Sequence, residues 1–253
     1  MKLRMLACLF ALAAAVALAA QERVLVAAAA NISAVKEPLG AAFAKQYPMY
    51  EAEFSFGASG ALVTQIKSGA PFQVFMSADR GFAQALVDAG QTTGPAKIYA
   101  VGKLIFFTTR SLDLGKGLAV LKDASVLQWA NCNPETAPYG RAAKEALTKA
   151  GLYDEVKAKL VTAQSVSQAL QFALTSADAG FVNKSAIYSK DIQQYDKEGV
   201  FWFEVDPTLY APIEQAFVVI KSTQASKGGT AFAAFLLSNE AQAVFAAYGY
   251  GKP

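Results

Sequence analysis

GASGALVTQIKSGAPFQVFMSAD, residues 57–79, holds one full unit of the fold. Gly57-Ala58-Ser59-Gly60 turns the chain out of the strand-like run Glu51–Phe56. Leu62, Val63 and Ile66 then recur at helical spacing. Gly69 and Pro71 stop that helix. Val74–Met76 is a short apolar strand, closed by Ser77-Ala78-Asp79. A second helical pattern follows on Phe82, Leu86 and Val87 and ends at Gly90. Strand, small polar turn, helix, strand again: this alternation is the grammar of an α/β fold.

The same grammar extends in both directions. On the amino side, Arg23–Ala27 reads as a strand, and Val35, Leu39 and Phe43 recur at spacing four, so a helix follows. With Ser33 as its N-cap, Pro38 would fall beyond the first turn and cost one backbone hydrogen bond, which predicts a distorted helix start. On the carboxyl side, Ile98–Thr108 is the longest strand-like run. Val126–Ala130 is a further strand, followed by a turn over Asn131–Gly140 and a helix over Arg141–Ala150. Leu160–Ala163 and Gly180–Val182 read as strands flanking a helix over Ser167–Thr175. Ala216–Ile220 is a late strand, and two helices cover 223–248. The units fall into two sets, one before about residue 100 and one after about 125, which predicts two lobes.

The first twenty residues read differently. Lys2 and Arg4 precede an apolar run, Met5–Ala19, that ends in small residues at Ala17, Ala19 and Ala20. The run is short for a membrane span, and residues 1–20 are expected to be a cleaved signal peptide that sends the chain to the periplasm. Cys8 precedes most of the run, so it is not placed as a lipid-anchor cysteine. Cleavage leaves about 233 residues, enough for proper cores.

Removing Lys2 and Arg4 from the 23 basic residues leaves 21 against 20 acidic ones. That balance argues against nucleic acid or an acidic membrane as a partner. Cys132 is then the only cysteine, so no intramolecular disulfide forms; a small buried residue at a strand end is the expected role. The chain has no histidine, which removes Ser-His-Asp and Cys-His catalysis and the usual zinc ligand sets. No cofactor and no catalytic residue is expected, and the chain is not read as an enzyme.

Four small turns stand before helices: Ala30-Asn31-Ile32-Ser33, Gly57-Ala58-Ser59-Gly60, Ala137-Pro138-Tyr139-Gly140 and Ser165-Val166-Ser167. The first N–H groups of a helix have no partner within it, and with the helix dipole they make a ready anion site. Each turn offers neutral donors only; Arg141 is the one cation adjacent to any of them. Ser33, Ser59 and Ser167 would equally serve as ordinary helix caps.

The block 57–79 together with NPETAPYGRAAKEAL at 133–147, QSVSQAL at 164–170 and the closing AAYGYGKP resembles the signature of ModA-like periplasmic molybdate-binding proteins of ABC importers. The order and spacing match over essentially the whole chain beyond the signal segment. The resemblance implies a two-lobed periplasmic-binding-protein fold of type II: each lobe a mixed sheet flanked by helices, joined by two crossover segments. By that analogy lobe one is 22–101 plus 217–253, and lobe two is 102–216, with crossings near Ala100-Val101-Gly102 and Tyr210–Gln215. It carries the ligand contacts onto Asn31, Ser59, Tyr139 and the main-chain N–H of Val166, with Ala30 and Ser33 as further candidates in the first turn. Asn31 is expected to offer its side-chain amide and its main-chain N–H, and Ser59 and Tyr139 their hydroxyls. The implied ligand is molybdate or tungstate, so molybdenum enters only as the bound oxyanion. The implied partner is an inner-membrane permease with its ATPase, served by a monomer. Sulfate or phosphate is the alternative ligand within the class.

Overall fold

The structure, a computed structural model, describes residues 21–190, 192–221 and 227–253; the expected signal peptide and the start of the expected helical span 223–248 lie outside the described residues. Two five-stranded sheets organise the chain. The first contains β1 (Glu22–Ala29), β2 (Tyr50–Gly57), β3 (Val74–Ser77), β4 (Lys97–Gly102) and β10 (Ile213–Val219), in the order β2-β1-β3-β10-β4. The second contains β5 (Leu104–Phe107), β6 (Trp129–Cys132), β7 (Leu160–Ala163), β8 (Ala179–Asn183) and β9 (Trp202–Glu204), in the order β7-β6-β8-β5-β9.

Both sheets follow one plan. Three parallel strands lie side by side, and an antiparallel strand beside a crossover joins the third to the edge. In the first sheet β1 runs parallel to β2 and β3, and β10 is antiparallel to β3 and β4. In the second β6 runs parallel to β7 and β8, and β5 is antiparallel to β8 and β9. The expected mixed-sheet, two-lobed α/β architecture is what the chain adopts.

The single strand expected over Ile98–Thr108 is in fact two. The chain leaves the first sheet after Gly102 and enters the second at Leu104. It returns to the first sheet at Ile213, so Gly102 and Ile213–Ala216, expected in lobe two, lie in the first sheet, because β4 and β10 pair over Gly102 and Ile213. The strand expected over Val126–Ala130 begins only at Trp129 and continues through Cys132.

Helices flank both sheets: α1 (Lys36–Gln46), α2 (Ser59–Lys67), α3 (Arg80–Asp88), α4 (Pro138–Lys149), the short α5 (Tyr153–Val156), α6 (Val166–Thr175), α7 (Lys227–Phe235) and α8 (Asn239–Ala247). A 3-10 segment, Ala30–Val35, runs directly into α1. That placement resolves Pro38: it is the third residue of α1, where an N–H would have no intrahelical partner, so no hydrogen bond is lost. The serines expected as caps are displaced by one or two residues. Ala58 precedes α2, Ser165 caps α6 by accepting the Gln168 N–H, and Val35 precedes α1. Asp79 caps α3, accepting the Phe82 N–H at 2.9 Å. Pro138 opens α4, its fixed φ suited to a first helical position.

Strand alternation builds the first lobe from two apolar layers. Val24, Val26 and Ala28 of β1 pack with Leu39, Phe43, Phe232 and Phe235 on one face. Ala27 packs with Leu62, Ile66, Phe75 and Leu86 on the other. The second lobe centres on Phe106, Trp129, Leu147 and Phe181. Cys132 is buried there at the end of β6, as expected, and burial pushes its thiol up to about 12.

At the end of the second sheet remote from the first, one carboxylate ties three strands together. Asp178, just before β8, accepts the N–H groups of Leu127 and Gln128 ahead of β6, at 2.8 and 3.0 Å, and the guanidinium of Arg110 beyond β5 at 3.0–3.1 Å. Burial pushes this carboxyl upward, but the two N–H groups and Arg110 outweigh it and hold the pKa below its ordinary value. A carboxyl depressed on folding contributes stability that is present above its unfolded pKa and is lost as pH falls through the folded value. Asp178→Ala is therefore expected to cost about 1–3 kcal/mol at neutral pH. It should also remove part of the acid sensitivity below about pH 4. Urea unfolding of both proteins across that range is the check; equal stability at neutral pH would contradict the assignment.

Candidate functional site

The carboxyl ends of β1 and β2 in the first lobe meet those of β6 and β7 in the second. There the structure brings Ala30, Asn31, Ser59, Tyr139 and Val166 around one cavity. These are five of the six expected residues, and each lies at or just after a helix or 3-10 start. Ser33 is not among them. It is exposed and lines a separate cleft beside Ser167, because the 3-10 turn carries it away from the cavity.

The lining is otherwise Ala, Gly and Pro, and it contains no charged side chain. The neighbouring charges are paired: Arg141 of α4 forms an ion pair with Asp79, the cap of α3. Gly140, next in α4, makes a close approach possible. A Cβ there would lie 2.0 Å from the Cys132 carbonyl oxygen, so the helix start rests directly on the end of β6. The first N–H groups of α2, α4 and α6 lack helical partners on geometric grounds. Of these, the Gly60 N–H is already engaged, donating to Thr136 O of the other lobe at 3.0 Å.

Ser59 is buried, and its Oγ accepts the Ala78 N–H at 3.0 Å. That bond fixes the hydroxyl and leaves its own proton for another acceptor. The role expected of the Asn31 amide differs from what the structure shows. Its Nδ2 donates to Oε1 of Gln215 at 2.8 Å and to the Tyr250 hydroxyl at 2.9 Å, so both amide protons are engaged away from any ligand. Its main-chain carbonyl oxygen receives the Tyr250 hydroxyl at 2.9 Å and faces Ser185 Oγ at 3.1 Å and Asn183 Nδ2 at 3.3 Å. What Asn31 retains for a ligand is its main-chain N–H. Tyr139 also departs from expectation: its hydroxyl lies against Gly102 and the Gln215 amide, where a Cβ on Gly102 would be 2.2 Å from it.

Several of these contacts join the lobes. Ser185 and Asn183 follow or end β8, yet hold the carbonyl of Asn31; Ser167 Oγ donates to Ala30 O at 3.1 Å. Gln215, Tyr250, Ser185 and Asn183 were not singled out as individual residues in the sequence. Tyr250 lies in the quoted carboxyl-terminal motif, and Gln215 is a polar residue that opens onto the apolar run Ala216–Val219; either could have been flagged.

Burial raises the phenols around this network. Tyr139 and Tyr99 are pushed well above the ordinary range, chiefly by loss of water, and Tyr250 is pushed up to about 12. For Tyr139 the Asn31 side chain acts in the opposite direction. All three therefore stay protonated and neutral at physiological pH. Among the described residues, no group of Cys, Asp and Glu is placed to hold a metal ion.

The model of the bacterial extracellular solute-binding protein family matches residues 24–251. The molybdate-binding protein ModA of Rhodobacter capsulatus is 37% identical over 92% of this chain and 89% of its own length. That of Azotobacter vinelandii is 36% identical over 89% of this chain and 88% of its own. The solved structure of the Azotobacter vinelandii periplasmic molybdate-binding protein superposes with a TM-score of 0.83 at 32% identity, covering 91% of this chain and 99% of that one. The family is one of transport proteins rather than enzymes. On these grounds, the chain belongs to the bacterial extracellular solute-binding proteins, within the ModA-like periplasmic molybdate-binding family.

Proposed function

We propose that the cavity captures a small, fully ionised tetrahedral oxyanion, molybdate or tungstate, and that the closed protein delivers it to an inner-membrane permease with its ATPase. The observation that carries this reading is the lining: starts of helices from both lobes, a serine hydroxyl with a free proton, and no charged side chain. Main-chain N–H groups of Ala30, Asn31, Ser59, Tyr139 and Val166 are the proposed donors, with the Ser59 hydroxyl. A site of donors accepts a dianion that carries no proton and disfavours an anion whose O–H needs an acceptor. The named relatives, described as molybdate-binding, support the choice of ligand. The anion touches donors on both lobes only when they are together, so binding favours the closed form. The crossovers at Gly102–Leu104 and Tyr210–Ile213 are the proposed hinge.

Isothermal titration with molybdate, tungstate, sulfate and phosphate tests the assignment. Molybdate or tungstate is expected to bind most tightly. Preference for sulfate or phosphate would replace the ligand while leaving the fold and transport class intact. Because the surrounding phenols are raised and stay neutral, affinity should be nearly flat between pH 6 and 9. It should also change little with sodium chloride, since neutral donors are little screened. A steep salt dependence would show that charged groups carry the binding.

Ser59→Ala removes a hydroxyl donor to a charged acceptor, expected to weaken binding by about 1.5–3 kcal/mol. Calorimetry on the variant, beside its ligand-free melting curve, gives the check. Unchanged affinity with a much lower melting temperature would make Ser59 a structural residue only.

A further inference from the structure

We propose that Tyr139 is the residue that couples anion capture to lobe closure: its phenol, carried by the second lobe, plugs a socket formed by Gly102, Gln215 and Asn31 of the first and donates to Oδ1 of Asn31. This inference rests on the oxyanion-binding reading and goes beyond it in assigning a positioning residue to the closing step.

The socket's polarity is fixed by a chain of hydrogen bonds. Gln215 Nε2 donates to Ala78 O at 3.1 Å and to Ile213 O at 3.3 Å. Its Oε1 is therefore the atom turned toward Asn31, and it must accept. Asn31 Nδ2 donates to that Oε1 and to the Tyr250 hydroxyl, which engages both amide protons. Asn31 Oδ1 is left buried with no hydrogen-bond partner, and so is the Tyr139 hydroxyl. One atom can only accept and the other can donate. Leaving two buried groups unpaired is costly, and pairing them with each other removes both penalties together. The Asn31 side chain is close enough to the Tyr139 phenol to act on its titration, which places the two side by side.

Gly102 explains why the socket exists. A Cβ there would lie 2.2 Å from the Tyr139 hydroxyl oxygen and 2.7 Å from Gln215 Nε2. Its φ is not positive, so the backbone does not require glycine; the phenol and the Gln215 amide do. Gly102 is also the last residue of β4, paired with Ile213 at the start of β10. The floor of the socket is thus the point where both crossovers leave the first sheet. Tyr139 sits in the first turn of α4, whose start lines the anion cavity. One rigid helical turn therefore touches the anion site with its backbone and the hinge with its side chain.

The test combines Gly102→Ala, Tyr139→Phe and the double variant, each measured for molybdate affinity, for compaction by small-angle scattering at saturating molybdate, and for ligand-free melting. Gly102→Ala should fold, since the methyl group meets only the far ends of the Tyr139 and Gln215 side chains, but should bind at least about tenfold more weakly and stay expanded. Tyr139→Phe should weaken binding about tenfold, the worth of one buried hydrogen bond. In the double variant the closest collision, with the hydroxyl, is gone and the contact with the Gln215 amide remains, so the loss should be smaller than the product of the two single losses. Wild-type compaction and affinity in Gly102→Ala, or losses that simply multiply, would overturn the inference while leaving oxyanion binding in place. Should Gly102→Ala fail to fold, Tyr139→Phe decides alone, and full affinity there overturns the proposal. A wild-type protein that binds none of the four oxyanions would remove the proposed function and this inference with it.

Discussion

The first main-chain N–H groups of a helix have no partner inside it, and a folded protein must supply one from elsewhere. In this chain three α-helices and one 3-10 turn begin at the same place, so their unpaired donors converge on one cavity instead of being scattered over the surface. The convergence follows from the sheets. β1, β2, β6 and β7 each deliver a helical start at their carboxyl ends, and the two sheets present those ends to each other. The small residues at Ala58, Ala137 and Gly140 let the helix starts come close, and Gly140 does so against the backbone of Cys132 itself.

A second layer of polar side chains stands behind the first. Ser59 is oriented by Ala78, Asn31 by Gln215 and Tyr250, and Gln215 by Ala78 and Ile213. The Asp79–Arg141 pair, the Gly60–Thr136 bond and the Ser167–Ala30 bond lie around the cavity and join its two sides. Each of these interlobe contacts is individually modest. Together they give a closed form held by many small terms, which a bound anion can tip because it accepts from donors of both lobes at once.

Much of the architecture was legible in short-range pattern. The units around residues 57–90 and 160–182 were read from hydrophobic period and from Gly and Pro punctuation, and the strands and helices stand close to where the pattern put them. The run from Ile98 to Thr108 misled because it is apolar on both sides of the crossover, so β4 and β5 read as one strand. Gly102 inside it was the available signal, since a glycine in a strand pattern marks a close backbone approach. The site was readable as a set of turns, but not as a set of atoms. Pattern shows that Ser33 and Asn31 share a turn; it does not show that a 3-10 segment turns one outward. Likewise it shows a tyrosine at a helix start, but not that the hydroxyl lies against Gly102. Gln215, Ser185 and Tyr250 meet Asn31 only through tertiary packing across the whole length of the chain.

The placement of β10 sets an order for folding. Strands β5 to β9 are continuous in sequence, so the second sheet can be completed by one uninterrupted stretch of chain. The first sheet cannot. Its fourth place, between β3 and β4, is filled only by β10, after the entire second sheet has been laid down. Such a non-local pairing carries the loop-closure entropy of everything between. Until Ile213–Val219 arrives, β3 and β4 have no strand between them and present unpaired edges. A chain appearing amino end first therefore exposes its first lobe, unfinished, for most of its synthesis, and Gln215, which orients Asn31 in the cavity, is supplied in the same strand that ends this exposure.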